Sequence, residues 1–204
     1  MGIKAVAFDF GNVISERQDP STMGLLAAIA DVSEEQARDI VFTGREDWDR
    51  GDLSGPDHYR RGFQRHGVEI DEGVLHAFMR ADLESWATLN EACVALMEEV
   101  KAAGTRTAIL SNMPHEFLGS ARKRFPVVSK VDVSVFSCEH SIVKPVKAIY
   151  EVLLNQLNVP ASEVLFFDDM PENIDAAREV GIQAHLWSDA AAARKILHES
   201  GVLK

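Results

Sequence analysis

The chain has 204 residues, of which 46% are hydrophobic and 26% are charged. This composition is typical of a globular protein with room for one α/β domain and a small appendage. The formal net charge of −11 argues against a nucleic acid or an anionic membrane as the main partner. It does not argue against a small anion, because a local positive pocket can hold one.

Features of membrane and secreted proteins are not found in the sequence. No apolar run is long enough to span a bilayer, and the N-terminal residues show no signal-peptide pattern, so we expect a cytoplasmic protein with no membrane partner. Cys93 and Cys138 lie in apolar stretches without metal-ligand spacing, and they are predicted to be buried free thiols.

The first predicted element is a short buried strand over residues 3–8, which ends at the polar turn that contains Asp9 and Gly11. Residues from about 20 to 87 are then predicted to be mostly helical, because they are more highly charged and contain no convincing strand. Within this block the segment 33–36, with sequence Ser-Glu-Glu-Gln, is a capping box that predicts a helix start.

After the helical block, strands alternate with helices. This alternation predicts an α/β fold with a Rossmann-like parallel sheet and helices on both faces. The helical block between the first two strands is then a small cap inserted after strand one. We therefore predict a core domain of residues 1–16 and 88–204 and a cap domain of residues 17–87. The predicted strands are 105–110, 131–137, 164–167 and 183–187, and the predicted helices are 91–103, 146–157, 173–180 and one at the C-terminus.

Polar residues follow three of the predicted strands. Asp9 comes after the first strand, Ser111 and Asn112 after the second, and Asp168 and Asp169 after a strand near the C-terminal end. Ligands bind parallel sheets of this kind at the carboxyl ends of the strands. We therefore expect these side chains to lie at one edge of the sheet.

The acidic residues at this edge suit phosphate and metal chemistry. Asp9 can act as a nucleophile if a cation screens an incoming anion. Asp168 and Asp169 are adjacent carboxylates that repel each other unless a hard cation such as Mg²⁺ neutralises them. Taken singly, each feature has an ordinary alternative, namely a turn-forming Asp for the first and a helix N-cap for the pair.

Donors for a phosphate are also available. Ser111 and Asn112 can donate hydrogen bonds to a phosphate, although in isolation a Ser-Asn turn is the better explanation for them. Lys144 precedes Pro145, which favours an extended backbone at the lysine. Lys144 can hold the phosphate and offset the carboxylates, or it can be a solvated surface residue.

The order Asp, Ser-Asn, Lys-Pro, Asp-Asp resembles that of the haloacid dehalogenase-like (HAD) hydrolase superfamily, in the branch whose cap follows the first strand. As a set in this order the motifs are specific, whereas no single one is. The resemblance spans nearly the whole chain and is weakest in the cap. The stretches that carry it are residues 8–14, 110–112, 143–150 and 166–169, together with Asn173, Ala176, Ala177 and Gly181.

The resemblance implies a phosphatase that hydrolyses a small phosphorylated metabolite, a phosphate ester, through an aspartyl-phosphate on Asp9. Lys144 is the second implied catalytic residue. It would bind the phosphoryl oxygens together with Ser111, Asn112 and Asn12.

The implied cofactor is Mg²⁺. Asp9 and Asp169 would ligate the ion directly, Gly11 would do so through its backbone carbonyl, and Asp168 would lie beside Asp169 or act through water. Asn173 would support the acidic loop from behind.

One position departs from the family pattern. Most phosphatases of the family carry a second Asp two residues after the nucleophile, as a general acid and base that contributes about 10²–10⁴-fold to the rate. This chain has Gly11 there, a form similar to that of sugar-phosphate phosphatases of the α-glucose-1-phosphatase type, whose substrates have a good leaving group. Glu16, His115 and a water are the candidate replacements for the acid.

In the predicted cap, Arg45, Trp48 and Arg50 could face a substrate. We favour the simpler interpretation that Trp48 packs inside the cap and that both arginines are solvated.

Two further functions stay open. A 2-haloacid dehalogenase also lacks the second Asp, but the resemblance implies that such enzymes lack the adjacent Asp pair as well. A non-catalytic binding protein with the HAD fold is the other alternative, and Gly11 motivates it.

Overall fold

The computed structural model describes residues 2–204, and over this range it contains one parallel β-sheet of five strands. Each strand lies within two or three residues of its predicted position, which confirms the predicted α/β sheet. The third strand is shorter than predicted because a helical turn begins at Ser137. The strands are β1 (Ala5–Phe8), β2 (Arg106–Ser111), β3 (Val133–Phe136), β4 (Val164–Asp168) and β5 (Gln183–Leu186).

Helices account for most of the remaining ordered structure. The predicted helical block and the predicted helices before β2 and after β3, β4 and β5 are present, but the helices between β2 and β3 were not predicted. The α-helices over residues 2–204 are α1 (Thr22–Ala30), α2 (Glu34–Phe42), α3 (Arg45–Asp49), α4 (Gly55–Arg65), α5 (Glu72–Ser85), α6 (Glu91–Ala102), α7 (His115–Arg124), α8 (Pro126–Lys130), α9 (Ser137–His140), α10 (Lys147–Leu157), α11 (Pro171–Glu179) and α12 (Ala190–Glu199).

The sheet is buried on both faces. Side chains of a strand alternate between faces, and in β1 Val6 and Phe8 join one apolar cluster while Ala5 and Ala7 join the other. Helices α6, α7 and α12 contribute to the first cluster, and α10 and α11 to the second. Because both faces are covered, the central strands read as continuous apolar runs, which is why they could be predicted.

The strand order is β3-β2-β1-β4-β5, with β1 in the centre. The chain builds β2 and β3 on one side of β1, and β4 and β5 on the other. The connections diverge at the carboxyl end of β1, which makes this the switch point where a crevice forms in such sheets. Phe8 of β1 pairs with Ile109 of β2 and Phe167 of β4, so the residues that follow these strands lie side by side.

The cap helices α1–α5 pack around an apolar cluster of their own, with Leu26, Trp48, Phe63 and Phe78 at its centre. The capping box of α2 is formed as predicted. The two chain segments that join cap and core run antiparallel, where Glu16 N donates to Thr88 O at 2.8 Å and Asn90 N donates to Ile14 O at 2.9 Å.

Cys93 and Cys138 are buried and free, which confirms their prediction. Within residues 2–204, no helix has both the length and the apolar character that a bilayer crossing requires.

Candidate active site

Asp9 lies at the switch point, directly after β1. Its backbone N–H donates to Phe167 O at 2.9 Å and so continues the sheet by one residue. The residue is only 7% exposed, and its Oδ1 lies 2.8 Å from Lys144 Nζ. Burial raises the pKa of the Asp9 carboxyl above its usual range, while Lys144 lowers it and Asp168 raises it further.

Lys144 is a buried cation between two carboxylates. Its Nζ donates to Asp168 Oδ2 at 2.6 Å and to Leu110 O at 3.1 Å, and it pairs with Asp9 on a third side. Burial alone would lower the pKa of Lys144, but Asp168 and Asp9 offset this effect and the net pKa is raised. The lysine is therefore charged at neutral pH and is not a solvated surface residue.

Asp168 is the last residue of β4 and is fully buried. Its Oδ1 accepts hydrogen bonds from Met170 N and from Asn173 Nδ2, both at 2.9 Å, and its Oδ2 accepts from Lys144. Both carboxylate oxygens are thus already engaged by the protein. Asn173 lies behind the acidic loop, in the position predicted for it.

Asp169 turns toward the cavity and is partly exposed. Its Oδ2 accepts a hydrogen bond of 2.8 Å from Asn12 Nδ2. Asn12 has a φ of 58°, a left-handed backbone conformation that asparagine tolerates better than most residues and that is uncommon outside glycine. The Asn12 amide was predicted to bind substrate; here it holds Asp169.

One carboxylate oxygen from each of Asp9, Asp168 and Asp169 lies within 4.8 Å of the others. With Lys144 as the cation between two of them, the three carboxylates leave two negative charges. Oxygen ligands and a residual charge of this size suit a hard divalent cation. The residues present therefore fit such an ion, with Asp9 and Asp169 better placed to ligate it than the fully engaged Asp168.

Ser111 and Asn112 border the same cavity from the end of β2. The side chain of Asn112 is committed to the backbone of Lys144, because its Nδ2 donates to Lys144 O at 3.0 Å and its Oδ1 accepts from Lys144 N at 2.8 Å. This pair of bonds fixes the lysine loop against the end of β2. The side chain of Asn112 thus positions Lys144, and the substrate contact predicted for this residue stays a prediction.

These residues surround one cavity of about 190 Å³ at the carboxyl edge of the sheet, roofed by the cap. Its floor is polar and its walls are largely apolar. The lining consists of Asp9, Phe10, Gly11, Asn12, Trp86, Ser111, Asn112, Met113, Pro114, Phe117, Lys144, Asp169, Met170 and Asn173.

Gly11 has φ −64° and ψ 131°, a conformation open to any residue, so the backbone does not require glycine here. A Cβ at this position would lie 3.7 Å from the six-membered ring of Trp86. This distance is an ordinary van der Waals contact, so the indole borders the space that a side chain at position 11 would enter without filling it. Of the proposed replacements for the acid, Glu16 is exposed, and neither it nor His115 is among the residues that line the cavity.

The cap carries a second cation, Arg45, whose side chain is only partly exposed. Arg45 Nε lies 3.4 Å from Asp49 Oδ2, and Arg45 Nη1 lies 3.5 Å from Asp82 Oδ2. The guanidinium carbon lies 5.0 Å from the ring centre of Trp48 and 5.8 Å from that of Trp86. The prediction that Arg45 is solvated is wrong, because two buried carboxylates and two indole rings enclose it.

Trp48 packs fully buried in the cap, as predicted, and its Nε1 donates to Glu116 Oε2 of the core at 2.8 Å. Arg50 is partly exposed and pairs with Asp47 and Asp52 near the cap surface.

Sequence reasoning missed Trp86 and the role of Asp49. Trp86 lies in the short segment that leaves the cap, outside any motif, and only its proximity to Gly11 places it at the site. The charged residues of the segment 45–50 could have indicated that Asp49 pairs with an arginine. The same pattern is equally typical of a solvated helix.

The comparisons with known proteins agree with this geometry. A family model described as haloacid dehalogenase-like hydrolase matches residues 3–181. Validoxylamine A 7'-phosphate phosphatase from Streptomyces hygroscopicus subsp. limoneus is 23% identical to the chain, over 61% of this chain and 73% of that protein. Phosphorylated carbohydrates phosphatase from Thermotoga maritima is 29% identical, over 43% of this chain and 40% of that protein.

Mammalian relatives are much longer than this chain. It covers 26% of the length of bifunctional epoxide hydrolase 2 from Mus musculus, to which it is 24% identical over 69% of this chain. It covers 8% of acyl-CoA dehydrogenase family member 10 from the same organism.

Solved structures share the fold. A HAD family enzyme from Bacteroides thetaiotaomicron, in complex with magnesium and inorganic phosphate, has a TM-score of 0.71 and 18% identity, covering 92% of this chain and 96% of that one. A dehalogenase with an intermediate complex has a TM-score of 0.74 and 18% identity, covering 96% and 97%. Since the family model spans most of the chain and the sheet has the same architecture, this protein belongs to the haloacid dehalogenase-like hydrolases.

Proposed function

We propose that this hydrolase is a Mg²⁺-dependent phosphatase that cleaves a small phosphorylated metabolite, with sugar phosphates as candidate substrates. The observation that carries the proposal is the buried cluster of Asp9, Asp168 and Asp169 around Lys144 at the floor of a cavity. Several relatives are named as phosphatases, among them one for phosphorylated carbohydrates, and this supports the same substrate class.

Asp9 is the proposed nucleophile. One of its carboxylate oxygens attacks phosphorus, a new O–P bond forms, and the bond from phosphorus to the leaving oxygen breaks. Water then attacks the phosphorus of the aspartyl-phosphate, which releases inorganic phosphate and regenerates the carboxylate. Lys144 opposes the rise in the pKa of Asp9 that burial causes, and it offers positive charge to the phosphoryl oxygens.

Ser111 borders the cavity and is the proposed hydroxyl donor to the phosphoryl group, while Asn112 and Asn12 hold Lys144 and Asp169 in place. Asp9 and Asp169 would hold Mg²⁺, with the backbone carbonyl of Gly11. The bound ion would supply charge neutralisation that lets an anionic phosphate approach these carboxylates.

The leaving group receives no proton from residue 11. Its oxygen must depart with a proton taken from water, so the proposed mechanism favours substrates whose leaving alcohol is acidic. The proposed preference for a good leaving group therefore follows from the presence of Gly11.

Release of inorganic phosphate tests the proposal directly. We expect turnover of sugar phosphates and p-nitrophenyl phosphate with Mg²⁺, and its loss when the ion is removed with a chelator and restored on adding Mg²⁺. No turnover across a broad panel of phosphate esters would reject the phosphatase and leave the non-catalytic binding protein.

A dehalogenase is the second candidate, because a halide leaves without a proton and needs no acid at position 11. Three carboxylates within 4.8 Å of one another oppose this function, since they would repel the carboxylate of a 2-haloacid. Chloride release from 2-chloropropionate in the absence of a metal would favour the dehalogenase over the phosphatase.

A further inference from the structure

The polar residues that line the cavity of Asp9 are already used within the site. Three of them are asparagines, and the side-chain amide of each donates a hydrogen bond of 2.8–3.0 Å to another residue of the site. The others form the proposed phosphate and metal site. The polar lining residues are Asp9, Asn12, Ser111, Asn112, Lys144, Asp169 and Asn173. Polar side chains are therefore concentrated where the phosphoryl group would bind.

The remaining lining residues, apart from Gly11, are apolar. Trp86 has the one side-chain nitrogen among them, and this Nε1 atom is buried. The six-membered ring of Trp86 lies 3.7 Å from a Cβ placed on Gly11, two residues after the proposed nucleophile. Phe10 and Phe117 pack edge to face, with ring centres 5.6 Å apart. These residues form the apolar wall of the cavity, which consists of Phe10, Trp86, Met113, Pro114, Phe117 and Met170.

The apolar wall suits an aromatic ring better than a sugar. A hydroxyl buried against it would lose its hydrogen bonds to water and gain no partner, which is unfavourable. An aromatic ring gains free energy from the same contacts and packs offset or edge to face against Trp and Phe. The cavity of about 190 Å³ is large enough for a ring, since an apolar cavity of about 150 Å³ binds benzene.

Gly11 independently favours the same leaving group. A phenol has a pKa of about 10, as in tyrosine, whereas an aliphatic alcohol is nearly as weak an acid as water, at about 15.7. When Asp9 attacks phosphorus, the bond from phosphorus to the aryl oxygen breaks, and its electron pair leaves on that oxygen. The aryloxide takes its proton from water afterwards. Its departure therefore needs no acid at position 11.

We propose that the preferred substrates are small aryl phosphates, whose ring packs on the apolar wall while the phosphoryl group meets Asp9 and Lys144. The inference rests on the proposed phosphatase function and ranks aryl phosphates above the sugar phosphates that are candidates there. Two separate features support it, because the wall selects the ring and the glycine selects an acidic leaving oxygen.

Phosphonates test the wall separately from the acidity. Phenylphosphonate and 2-hydroxyethylphosphonate carry a ring or a hydroxyl on a C–P bond, which the proposed reaction does not break. With Mg²⁺ present, we expect phenylphosphonate to inhibit hydrolysis of p-nitrophenyl phosphate with an inhibition constant at least about tenfold lower than that of 2-hydroxyethylphosphonate. Equal constants, or a lower one for the hydroxyl compound, would overturn the proposal.

Substrates that share a ring test the acidity. Phenyl phosphate releases a phenol, whereas benzyl phosphate releases an aliphatic alcohol. We expect kcat/KM for phenyl phosphate to exceed that for benzyl phosphate at least about tenfold, because no acid compensates for the poorer leaving group. Glycerol phosphate has neither the ring nor the acidity and should be the poorest of the three. If it matched or exceeded phenyl phosphate, the phosphatase would stand and the aryl class would be wrong.

Two variants locate the wall. Met170→Ser places a hydroxyl at an apolar lining position that is 43% exposed, and Trp86→Leu removes the ring beside Gly11. We expect each to reduce the preference for phenylphosphonate over 2-hydroxyethylphosphonate about three- to tenfold. Both constants come from the same protein, so their ratio does not depend on the fraction that folds.

The matched control is Leu25→Ser on α1, which changes an apolar side chain that is 56% exposed and lies outside the cavity lining. It should keep the wild-type preference. A wild-type preference in both Met170→Ser and Trp86→Leu would contradict the proposed wall.

Failure of the phosphatase proposal is separable from failure of this one. If wild-type protein releases no phosphate from any ester, calorimetric titration with the two phosphonates in the presence of Mg²⁺ still decides. Phenylphosphonate that binds at least about tenfold more tightly supports an aryl pocket in a non-catalytic protein. Absent binding, or equal affinity for both compounds, overturns it.

Discussion

The core and the cap each contain one cation between two buried carboxylates, buried in the core and partly exposed in the cap, and the two clusters differ in how completely they are paired. In the core, Lys144 lies between Asp9 and Asp168 and also donates to a backbone carbonyl. In the cap, Arg45 lies between Asp49 and Asp82, yet Arg45 Nη1 and Asp49 Oδ1 have no hydrogen-bond partner. The core cluster leaves one such atom, Asp9 Oδ1, which still lies 2.8 Å from Lys144 Nζ, whereas the cap cluster leaves two.

The close pairing of the core cluster suits the proposed phosphatase. A transferred phosphoryl group has the same shape in every substrate, so rigid groups fixed by hydrogen bonds can serve it. Buried charges are costly unless they are paired, which explains why Asp168 is held by three donors.

The largest effect is expected from Asp9→Asn, which removes the nucleophile and one ligand of the proposed ion. Phosphate release with Mg²⁺ should fall at least about a thousandfold, as for other catalytic nucleophiles. The matched control is Asp175→Asn on α11, an exposed carboxylate that pairs with Arg178 at the surface. Retention of full activity in Asp9→Asn would show that the hydrolysis does not use an aspartyl-phosphate on this residue.

The two clusters should also differ in stability. Lys144→Met leaves Asp9 and Asp168 buried without a counter-charge, and we expect the free energy of unfolding to fall by about 3–5 kcal/mol. Arg45→Met should cost less, about 1–3 kcal/mol, because Asp82 keeps the hydrogen bonds from Tyr59 and Gln18.

Urea denaturation followed by circular dichroism measures both values. Arg60→Met provides the control at an exposed cap arginine, with an expected change below about 0.5 kcal/mol. Equal losses in the two buried variants would mean that the cap cluster is as fully paired as the core cluster.

The Asn12–Asp169 bond is expected to tune the proposed metal site. Asn12→Gly preserves the left-handed backbone and removes only the amide, whereas Asn12→Ala also strains the backbone. We expect the glycine variant to weaken Mg²⁺ binding about 10- to 100-fold through loss of ligand orientation alone. Calorimetric titration of Mg²⁺ measures the affinity, and wild-type affinity in the glycine variant would show that Asp169 needs no support from Asn12.

The core was easier to predict from sequence than the cap, for a physical reason. Strands buried on both faces are continuous apolar runs, and the polar residues at their ends mark the active-site edge directly, as with Asp9 and Asp168. The helices between β2 and β3 were not predicted, although α7 has ten residues. Phe117, Leu118 and Ala121 are the buried residues of α7.

The cap cluster could not be predicted because its partners are distant in sequence. From its sequence neighbours, Arg45 is predicted to be a solvated residue of a charged helix. Only the fold shows that it pairs with Asp82 on α5. Trp86 lies at the site only because the cap packs against the turn after β1, where its ring is near Gly11. Side chains that act across the seam between cap and core leave no periodic signal, since no single element contains them.

The smallest predicted effect is a pH dependence confined to the cap. His58 is 2% exposed, its Nε2 lies 3.0 Å from Val41 O, and its ring stacks on Trp48 at 5.1 Å. Burial lowers the pKa of His58 below its usual value of 6.5; the hydrogen bond to Val41 opposes this shift, Arg45 adds to it and Asp82 opposes it.

As the pH falls, the unfolded chain therefore binds a proton at position 58 before the folded chain does. The neutral form of His58 therefore stabilises the folded chain fully above about pH 6.5. At lower pH this stabilisation decreases, by at most about 1.4 kcal/mol per pH unit. Urea denaturation between pH 5 and 8 measures it: His58→Gln, which can still donate to Val41 O, should flatten the acid side of the profile. His198→Gln, at an exposed position of α12, should leave the profile unchanged. If both variants gave the wild-type slope, the pKa of His58 would be the same in the folded and the unfolded chain, and burial in the cap would not lower it.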